Sequence, residues 1–152
     1  PLPYLRGVPD FDQGTPEFEW SKKVSREELS SLISGVGNIR SIEPESTTPF
    51  GRVVKLRVVG DAGTKSINGD TLRNVLGLKS TKFKITPEYA SPETKGKAQS
   101  APIAFQIKGN GFGHGLGLSQ WGAYNMARRG LTYQQIVLHY YKNTILAKIQ
   151  VK

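Results

Sequence analysis

The chain has 152 residues, with 21 lysine and arginine against 12 aspartate and glutamate side chains, and its net charge at pH 7 is +9. This length fits one ordinary domain with its own core, and no apolar run approaches the roughly 20 residues that cross a bilayer. The absence of cysteine excludes disulfides, thiolate zinc sites and a cysteine nucleophile. Because the chain opens at Pro1, without an initiator methionine or a signal-peptide pattern, we expect it to be a piece of a longer protein.

The positive charge is concentrated in the later part of the chain. Residues 1–49 hold 5 basic and 8 acidic side chains, a net charge of −3, whereas residues 50–152 hold 16 basic and 4 acidic side chains, a net charge of +12. A basic surface attracts nucleic acid, anionic lipid or the phosphate- and carboxylate-bearing polymers of a bacterial wall. The sequence disfavours nucleic acid, because it has no arginine-rich helix, helix-turn-helix pattern or aromatic RNA-recognition strand. The plain alternative is a solvated, lysine-rich surface.

The first part of the chain predicts short strands around two short helices. Residues 1–16 are rich in proline, glycine and aspartate and predict an irregular lead-in. Ser25 and Glu28 form a capping box that starts the first helix, and Gly77 ends the second. The predicted helices cover residues 25–33 and 70–76, and the predicted strands cover 17–21, 39–43, 51–60, 64–67 and 82–86. The side chains that the first helix should bury are Leu29, Leu32 and Ile33.

The later part predicts one more strand and a pair of helices. Residues 88–101 are polar, contain proline, glycine and serine, and predict a mobile loop. A helix over 117–129 should end at Gly130, and Thr132 with Gln135 should cap the next helix. The remaining predicted elements are a strand at 103–108, the last helix at 132–141 and a final strand at 145–151. Together these elements predict an α+β fold: an antiparallel, partly barrel-like sheet with three to four short helices, the C-terminal helix pair following a glycine-rich loop.

The most informative segment reads GNGFGHGLGLSQWGAY over residues 109–124. Its glycines occupy positions 109, 111, 113, 115 and 117. Such strict alternation is not typical of a strand interior, but it allows a backbone to bend sharply or to approach another segment closely. The segment is neither a Walker loop nor a Rossmann fingerprint, although the free N–H groups of the helix that follows favour an anion or a polar sugar substituent.

Three polar and aromatic side chains follow the glycines within about one helical turn. Gln120, Trp121 and Tyr124 suit a sugar ring, because an aromatic face covers C–H groups and an amide bonds hydroxyls. Taken one at a time, Trp121 and Phe112 are better interpreted as core residues.

The two histidines, His114 and His139, do not predict a metal site, because no third ligand has suitable spacing. His114 stands between two glycines, so it either faces a site or is buried by a distant partner. His139 lies near a predicted helix C-terminus, which favours a structural role.

The acidic residues do not form a catalytic set. A glycosidic acid needs a sheltered pocket that raises its pKa, and the glutamates lie in caps, turns, the predicted loop or a strand. Glu17 and Glu19 share one strand face, for which solvation is the better interpretation. The glutamates considered are Glu17, Glu19, Glu27, Glu28, Glu43, Glu45, Glu88 and Glu93.

The stretch GNGFGHGLGLSQWGAYNMARRGLTYQQIVLHYY closely resembles the C-terminal signature of the stage II sporulation protein D family, the SpoIID/LytB domain. GRVVKLRVVG and NGDTLRNVLGLKSTKFKI resemble the strand, helix and following segment of that family, and PLPYLRGVPDFD is similar to its linker. The resemblance spans nearly the whole chain, so residues 1–152 are interpreted as the C-terminal part of such a domain.

The resemblance implies work on the bacterial cell envelope, outside the cytoplasm. Family enzymes are peptidoglycan lytic transglycosylases, which break the bond between N-acetylmuramic acid and N-acetylglucosamine, and relatives are called amidase enhancers. A single glutamate acts as acid and then base while the 6-hydroxyl of the sugar attacks, an internal nucleophile that replaces the second carboxylate of most glycosidases. The implied partners are peptidoglycan glycan strands, with an amidase or the N-terminal half of the same protein as further candidates.

The sequence departs from the family where the catalytic residue should be. The glutamate of the family belongs to a motif resembling E-M-P, followed by A-Q-A-V-A-A-R-T-Y-A, and neither string occurs here. No catalytic residue, metal ligand or cofactor is therefore assigned to this chain, and the acid is expected in a preceding part of the protein. Zinc, which some members bind through Cys and His, is not supported. The residues carried over as lining or supporting a glycan cleft are His114, Ser119, Gln120, Trp121 and Tyr124.

Three functions remain open from the sequence. The chain is the C-terminal half of a transglycosylase that forms one wall of the cleft, or a non-catalytic wall-binding or amidase-enhancing module. In the third alternative the signature is only a folding nucleus that packs a helix against the sheet.

Overall fold

The computed structural model describes residues 2–16, 18–91 and 101–149. Within these ranges it contains two three-stranded antiparallel sheets and four short helices, so the predicted α+β class is confirmed. The elements in chain order are β1 (Glu19–Ser25), α1 (Arg26–Leu32), β2 (Ile39–Thr47), β3 (Val53–Gly60), β4 (Thr64–Asn68), α2 (Gly69–Leu76), β5 (Phe83–Glu88), β6 (Ala104–Asn110), α3 (Gln120–Arg128) and α4 (Tyr133–Tyr140).

The chain divides into two compact units. The sheet unit is Glu19–Gly113, and the terminal unit combines Pro1–Phe18 with His114–Lys152. The sheet unit contains both sheets, with strand orders β1-β6-β5 and β2-β3-β4. Neither sheet closes into a barrel as described, which corrects the barrel-like expectation, because the six strands pair in two separate sets of three.

The core of the sheet unit is built from alternating strand residues and the inner sides of α1 and α2. In β3, Val53 is buried three positions before Leu56, where the pairing with β2 shifts register. Beyond that irregularity, Leu56 and Val58 are buried while Lys55 and Arg57 face outward. This alternation is the period-two pattern of a half-buried strand. The terminal unit has a smaller cluster, in which Met126, Ile136 and Tyr140 are buried.

Local capping signals determine where the helices begin and end. Ser25 Oγ accepts a hydrogen bond from Glu28 N at 3.0 Å, and Gly77 ends α2 in the left-handed conformation with φ 61°. The complete capping box of α4 is present: Gln135 Oε1 accepts from Thr132 N at 2.8 Å, and Thr132 Oγ1 accepts from Gln135 N at 3.3 Å. The caps at Gly77 and Thr132 are confirmed, and at Ser25 the N-cap half of the predicted capping box is confirmed.

Several boundary predictions are wrong. Helix α3 begins at Gln120 rather than Gly117, because Ser119 caps it and the preceding glycine is left-handed. Leu32 is 42% exposed, whereas Leu29 and Ile33 are buried as predicted. Residues 144–149 form no strand, and Ile145 is 91% exposed without a neighbouring strand in the described part of the chain. The predicted strand residues 17 and 150–151 and most of the predicted loop, 92–100, lie outside the described residues.

No helix within the described ranges combines the length and apolar character that crossing a membrane requires.

Candidate functional site

The five alternating glycines serve two different physical needs. Gly109 lies within β6, between Trp20 of β1 and Phe83 of β5. A Cβ atom there would overlap the Trp20 indole and would lie 2.6 Å from the Lys82 carbonyl oxygen. Close approach of neighbouring groups therefore requires glycine at this position.

The other four glycines are needed for backbone conformation. Gly111, Gly113, Gly115 and Gly117 have φ values of 74°, 95°, 76° and 80°, in the left-handed region that favours glycine over other residues. The backbone therefore turns at every second residue. Alternating glycine is predicted to allow either close approach or sharp bending of the backbone. Close approach explains Gly109, and bending explains the four glycines that follow it.

Long-range hydrogen bonds within the sheet unit hold the first half of this segment. Trp20 Nε1 donates to Gly111 O at 3.1 Å, and the buried Ser80 hydroxyl donates to Asn110 O at 2.8 Å. Gly113 N donates to Lys79 O at 2.8 Å, and its own carbonyl accepts from Arg52 Nη1 at 3.3 Å. Sequence reasoning missed these supporting residues, because they lie 30–91 positions away from the glycines they contact.

His114 begins the part of the segment that belongs to the terminal unit. Its side chain is exposed, and its Nδ1 accepts a hydrogen bond from Leu116 N at 2.9 Å. An imidazole nitrogen that accepts carries no proton, so the neutral ring donates through Nε2. The loop therefore orients this ring, and the alternative that a distant partner buries it is wrong within the described structure.

Helix α3 presents an aromatic pair to solvent. Trp121 is 39% and Tyr124 52% exposed, and their ring centroids lie 5.7 Å apart at 88°, an edge-to-face arrangement. The Arg128 guanidinium lies 5.9 Å from the Tyr124 ring centroid, so positions i, i+3 and i+7 share one side of the helix. The core interpretation of Trp121 is wrong, and so is that of Phe112, which is 61% exposed.

The other two predicted site residues differ in their surroundings. Gln120, at the first position of α3, is exposed. Ser119 is half-buried, and its hydroxyl accepts from Gly122 N at 3.1 Å as the helix N-cap. The structure thus brings Trp121 and Tyr124 into contact and gives Ser119 a structural bond. In the described ranges no hydrogen bond or ring contact joins His114 to that pair.

Behind the aromatic pair, α3 and α4 are joined through Asp10 of the lead-in. The buried Tyr140 hydroxyl donates to Asp10 Oδ1 at 2.7 Å. Burial is the largest cause that raises the pKa of the Tyr140 phenol, and this hydrogen bond is the second. A Cβ atom on Gly122 would overlap both the phenol oxygen and the carboxylate oxygen, so α3 needs glycine at this position.

Two further bonds attach the lead-in to the helices. Asn125 Nδ2 donates to Phe11 O at 2.7 Å, and His139 Nε2 donates to Pro9 O, also at 2.7 Å. The Arg129 guanidinium lies 5.0 Å from the Phe11 ring centroid. The structural interpretation of His139 is confirmed, and residues 9–11 are bound to α3 and α4.

Carboxylates contribute little to this site. The described candidate glutamates are exposed, except Glu88, which is half-buried and pairs with Lys23 at 2.5 Å. Glu17 and Glu93 lie outside the described residues. Among the residues that are described, no three His, Asp or Glu side chains are grouped so that they could hold a metal ion.

The fold and site define an α+β protein in which a left-handed glycine segment leads into a helix with an exposed aromatic pair. Residues 3–117 match the family described as "Domain of unknown function (DUF8618)", and the chain belongs to that family.

Comparison with curated proteins finds named relatives. The chain is 29% identical over 152 residues, 97% of its own length, to a protein named Stage II sporulation protein D from Bacillus subtilis (strain 168), of which it covers 39%. It is 35% identical over 83 residues to the Amidase enhancer of the same strain, a match that covers 55% of this chain and 10% of that protein. An uncharacterised protein of Brachyspira hyodysenteriae (strain ATCC 49526 / WA1) is 51% identical over 140 residues, 92% of this chain and 35% of that protein. The chain thus spans well under half the length of each relative.

Proposed function

We propose that this chain is the C-terminal part of a SpoIID/LytB-like domain and that it acts in cell-wall remodelling, outside the cytoplasm, by forming one wall of a cleft for peptidoglycan glycan strands. The observation that carries the proposal is the exposed edge-to-face pair of Trp121 and Tyr124 on α3. Exposing apolar surface to water is unfavourable, so two neighbouring aromatic rings that remain exposed are typical of a binding surface rather than a core.

The chemistry of the neighbouring side chains supports a saccharide ligand. An indole face covers the C–H groups of a pyranose ring, while the Gln120 amide offers both a donor and an acceptor to hydroxyls. The loop-oriented His114 is a further donor. The match to a protein named Stage II sporulation protein D over 97% of this chain supports the same assignment.

The proposed chemistry of the intact protein is lytic transglycosylation, with the proton donor in a part of the protein outside this chain. A glycosidic acid works from a sheltered site, whereas the described glutamates are exposed or, at Glu88, paired with a lysine. This chain would then orient the glycan, and the donor would come from the E-M-P-type motif that these 152 residues lack.

Glycan binding is tested by co-sedimentation of the chain with purified sacculi. Trp121→Ala should weaken binding about tenfold, as expected for an aromatic anchor worth ~1.4 kcal/mol. Phe50→Ala is the matched control, because this ring is 67% exposed and lies in the sheet unit, and it should bind as the wild type does. Equal binding by both variants, or no binding by the wild type, would contradict the proposal.

The same variants separate a binding role from a purely structural one. If the signature were only a folding nucleus, Trp121→Ala would cost ~3–5 kcal/mol of the free energy of unfolding. Because the side chain is 39% exposed, we expect a loss below about 1.5 kcal/mol, measured by urea unfolding.

A second candidate function is a non-catalytic module that binds the wall and stimulates an amidase. The match to a protein named Amidase enhancer over 83 residues favours it, as does the excess of basic residues beyond position 50. Mass spectrometry of sacculi digests distinguishes the two. We expect no 1,6-anhydro-muropeptides from this chain alone, and faster release of stem peptides when the chain is added to an amidase would favour the second candidate.

A further inference from the structure

The solvent side of the sheet β1-β6-β5 forms a groove that the glycan proposal does not use. The groove encloses about 650 Å³ and is lined by polar groups of all three strands, among them Ser21, Lys84, Lys108 and Asn110. The opposite side of the sheet faces the core, where Trp20 and Phe83 contact each other edge to face with centroids 6.4 Å apart. The groove therefore combines lysine, hydroxyl and amide groups with apolar surface, and it lies wholly within the sheet unit.

Three lysines in this groove lie close together. Lys84 of β5 and Lys108 of β6 are direct cross-strand partners, a placement that puts two like charges on the same face and destabilises the sheet. Lys82 lies two residues before Lys84 on the same side, and its carbonyl accepts from Asn110 N at 3.0 Å. All three side chains are exposed.

In the described part of the chain, no carboxylate forms a salt bridge with Lys82, Lys84 or Lys108. Lys23 pairs with Glu88 farther along the same side of the sheet, so this carboxylate is already engaged. Glu19 of the edge strand β1 also lines the groove, opposite Asn110, so the lining carries three lysines and one carboxylate. The folded chain therefore carries a local excess of positive charge, and an anion lying along β5 and β6 would relieve it.

We infer that this groove binds a phosphodiester polymer without aromatic bases, a chain of the poly(glycerol phosphate) type. Lysine acts as a point charge that suits phosphate, whereas planar carboxylates are better matched by the fork of arginine, which is absent from the lining. Trp20 and Phe83 also line the groove, but both pack against the core, Phe83 is only 5% exposed and Trp20 is half-buried. The groove thus offers no fully exposed ring of the kind on which proteins stack the bases of single-stranded nucleic acid. The inference goes beyond the glycan contact of α3 and does not rest on it.

The test measures binding of the 152-residue chain to three labelled polyanions of matched charge at low salt: poly(glycerol phosphate), poly-L-glutamate and oligo-dT. Wild type should prefer the first. The double variant Lys84→Gln, Lys108→Gln should bind it about 3- to 30-fold more weakly, because two exposed charge contacts are lost. The control Lys55→Gln, Lys148→Gln removes the same net charge from exposed lysines outside the groove and should retain affinity within about twofold.

The alternative outcomes each overturn the inference. An equal loss in the groove and control variants would show that net charge alone attracts the polymer. Preference for poly-L-glutamate would replace the phosphate ligand by a carboxylate one, and preference for oligo-dT would make the groove a nucleic-acid surface. Because sacculus binding that depends on Trp121 is measured with a separate ligand and separate variants, the glycan proposal can fail while this inference stands, and the reverse.

Discussion

Single residues decide how the terminal unit packs. Gly122 lets Asp10 and Tyr140 reach the first turn of α3, where any side chain would overlap both of them. The hydrogen bond between Tyr140 and Asp10 joins residues 130 positions apart in the sequence. Without this contact, a helix would favour alanine over glycine by about 1 kcal/mol.

We predict that Gly122→Ala lowers the free energy of unfolding by about 1–2 kcal/mol despite its better helix propensity, because the methyl group displaces a buried, hydrogen-bonded phenol. Urea unfolding checks this. The matched variant is Tyr140→Phe, which removes one of the two oxygens that the methyl group would meet, the other being Asp10 Oδ1. The two changes should be non-additive by at least about 0.5 kcal/mol, and simple additivity would show that the methyl group acts elsewhere.

The Tyr140 phenol also predicts a pH dependence. Its pKa is raised in the folded state by burial and by the bond to Asp10, so above about pH 10 the unfolded chain loses this proton while the folded chain retains it. Stability is then lost as pH rises, by up to about 1.4 kcal/mol per pH unit. Between pH 8 and 11, the midpoint temperature of thermal unfolding should fall more steeply for the wild type than for Tyr140→Phe. Parallel curves would contradict the assignment.

At the scale of elements, adding a side chain to the glycine segment has two different costs: backbone strain at one position and steric overlap at another. Gly113→Ala meets no atom within 4 Å but must adopt φ +95°, so we expect a loss of about 1–2 kcal/mol. Gly109→Ala would collide with the Trp20 ring and the Lys82 carbonyl inside the sheet, so we expect a loss of about 2–4 kcal/mol. Urea unfolding of both variants shows which loss of unfolding free energy is larger. A larger loss for Gly113→Ala would mean that backbone strain outweighs steric overlap, contrary to this prediction.

The start of α3 tests what Ser119 does. Since its hydroxyl accepts from Gly122 N, Ser119→Ala should cost about 1 kcal/mol of unfolding free energy, while Ser119→Asp should keep the cap and the stability. Thr132→Ala at the cap of α4 is the comparison. If Ser119→Asp remains stable yet loses sacculus binding, the hydroxyl also contributes to the site, and retained binding would leave it a capping residue.

At the scale of the whole molecule, the two units differ in the size of their cores. Among the described residues, the sheet unit has a cluster of 15 buried apolar side chains, whereas the corresponding cluster of the terminal unit contains three. Opening free energies follow the amount of buried apolar contact. Hydrogen exchange followed by mass spectrometry should therefore show stronger protection in β3 and β6 than in α3 and α4, and uniform protection would indicate a single cooperative unit.

Much of the secondary structure was predictable because its causes are local. The caps at Ser25 and Thr132 and the stops at Gly77 and Gly130 depend on a few neighbouring residues, and all four lie at helix ends in the structure. Boundaries shifted where a strand continued beyond its clearest alternation, as β2 does through Pro44 to Thr47. The final strand failed because a strand needs a hydrogen-bonded neighbour, which residues 144–149 lack within the described structure.

The sequence by itself determined the α+β class, the caps at Ser25 and Thr132, the stops at Gly77 and Gly130 and the unusual glycine segment, because these follow from backbone preferences over a few residues. Only the tertiary structure decided that Trp121 is exposed, that Asp10 meets Tyr140 and that Lys84 lies opposite Lys108. Burial and charge contacts depend on which distant segments meet, and periodicity along one chain carries no information about that partner.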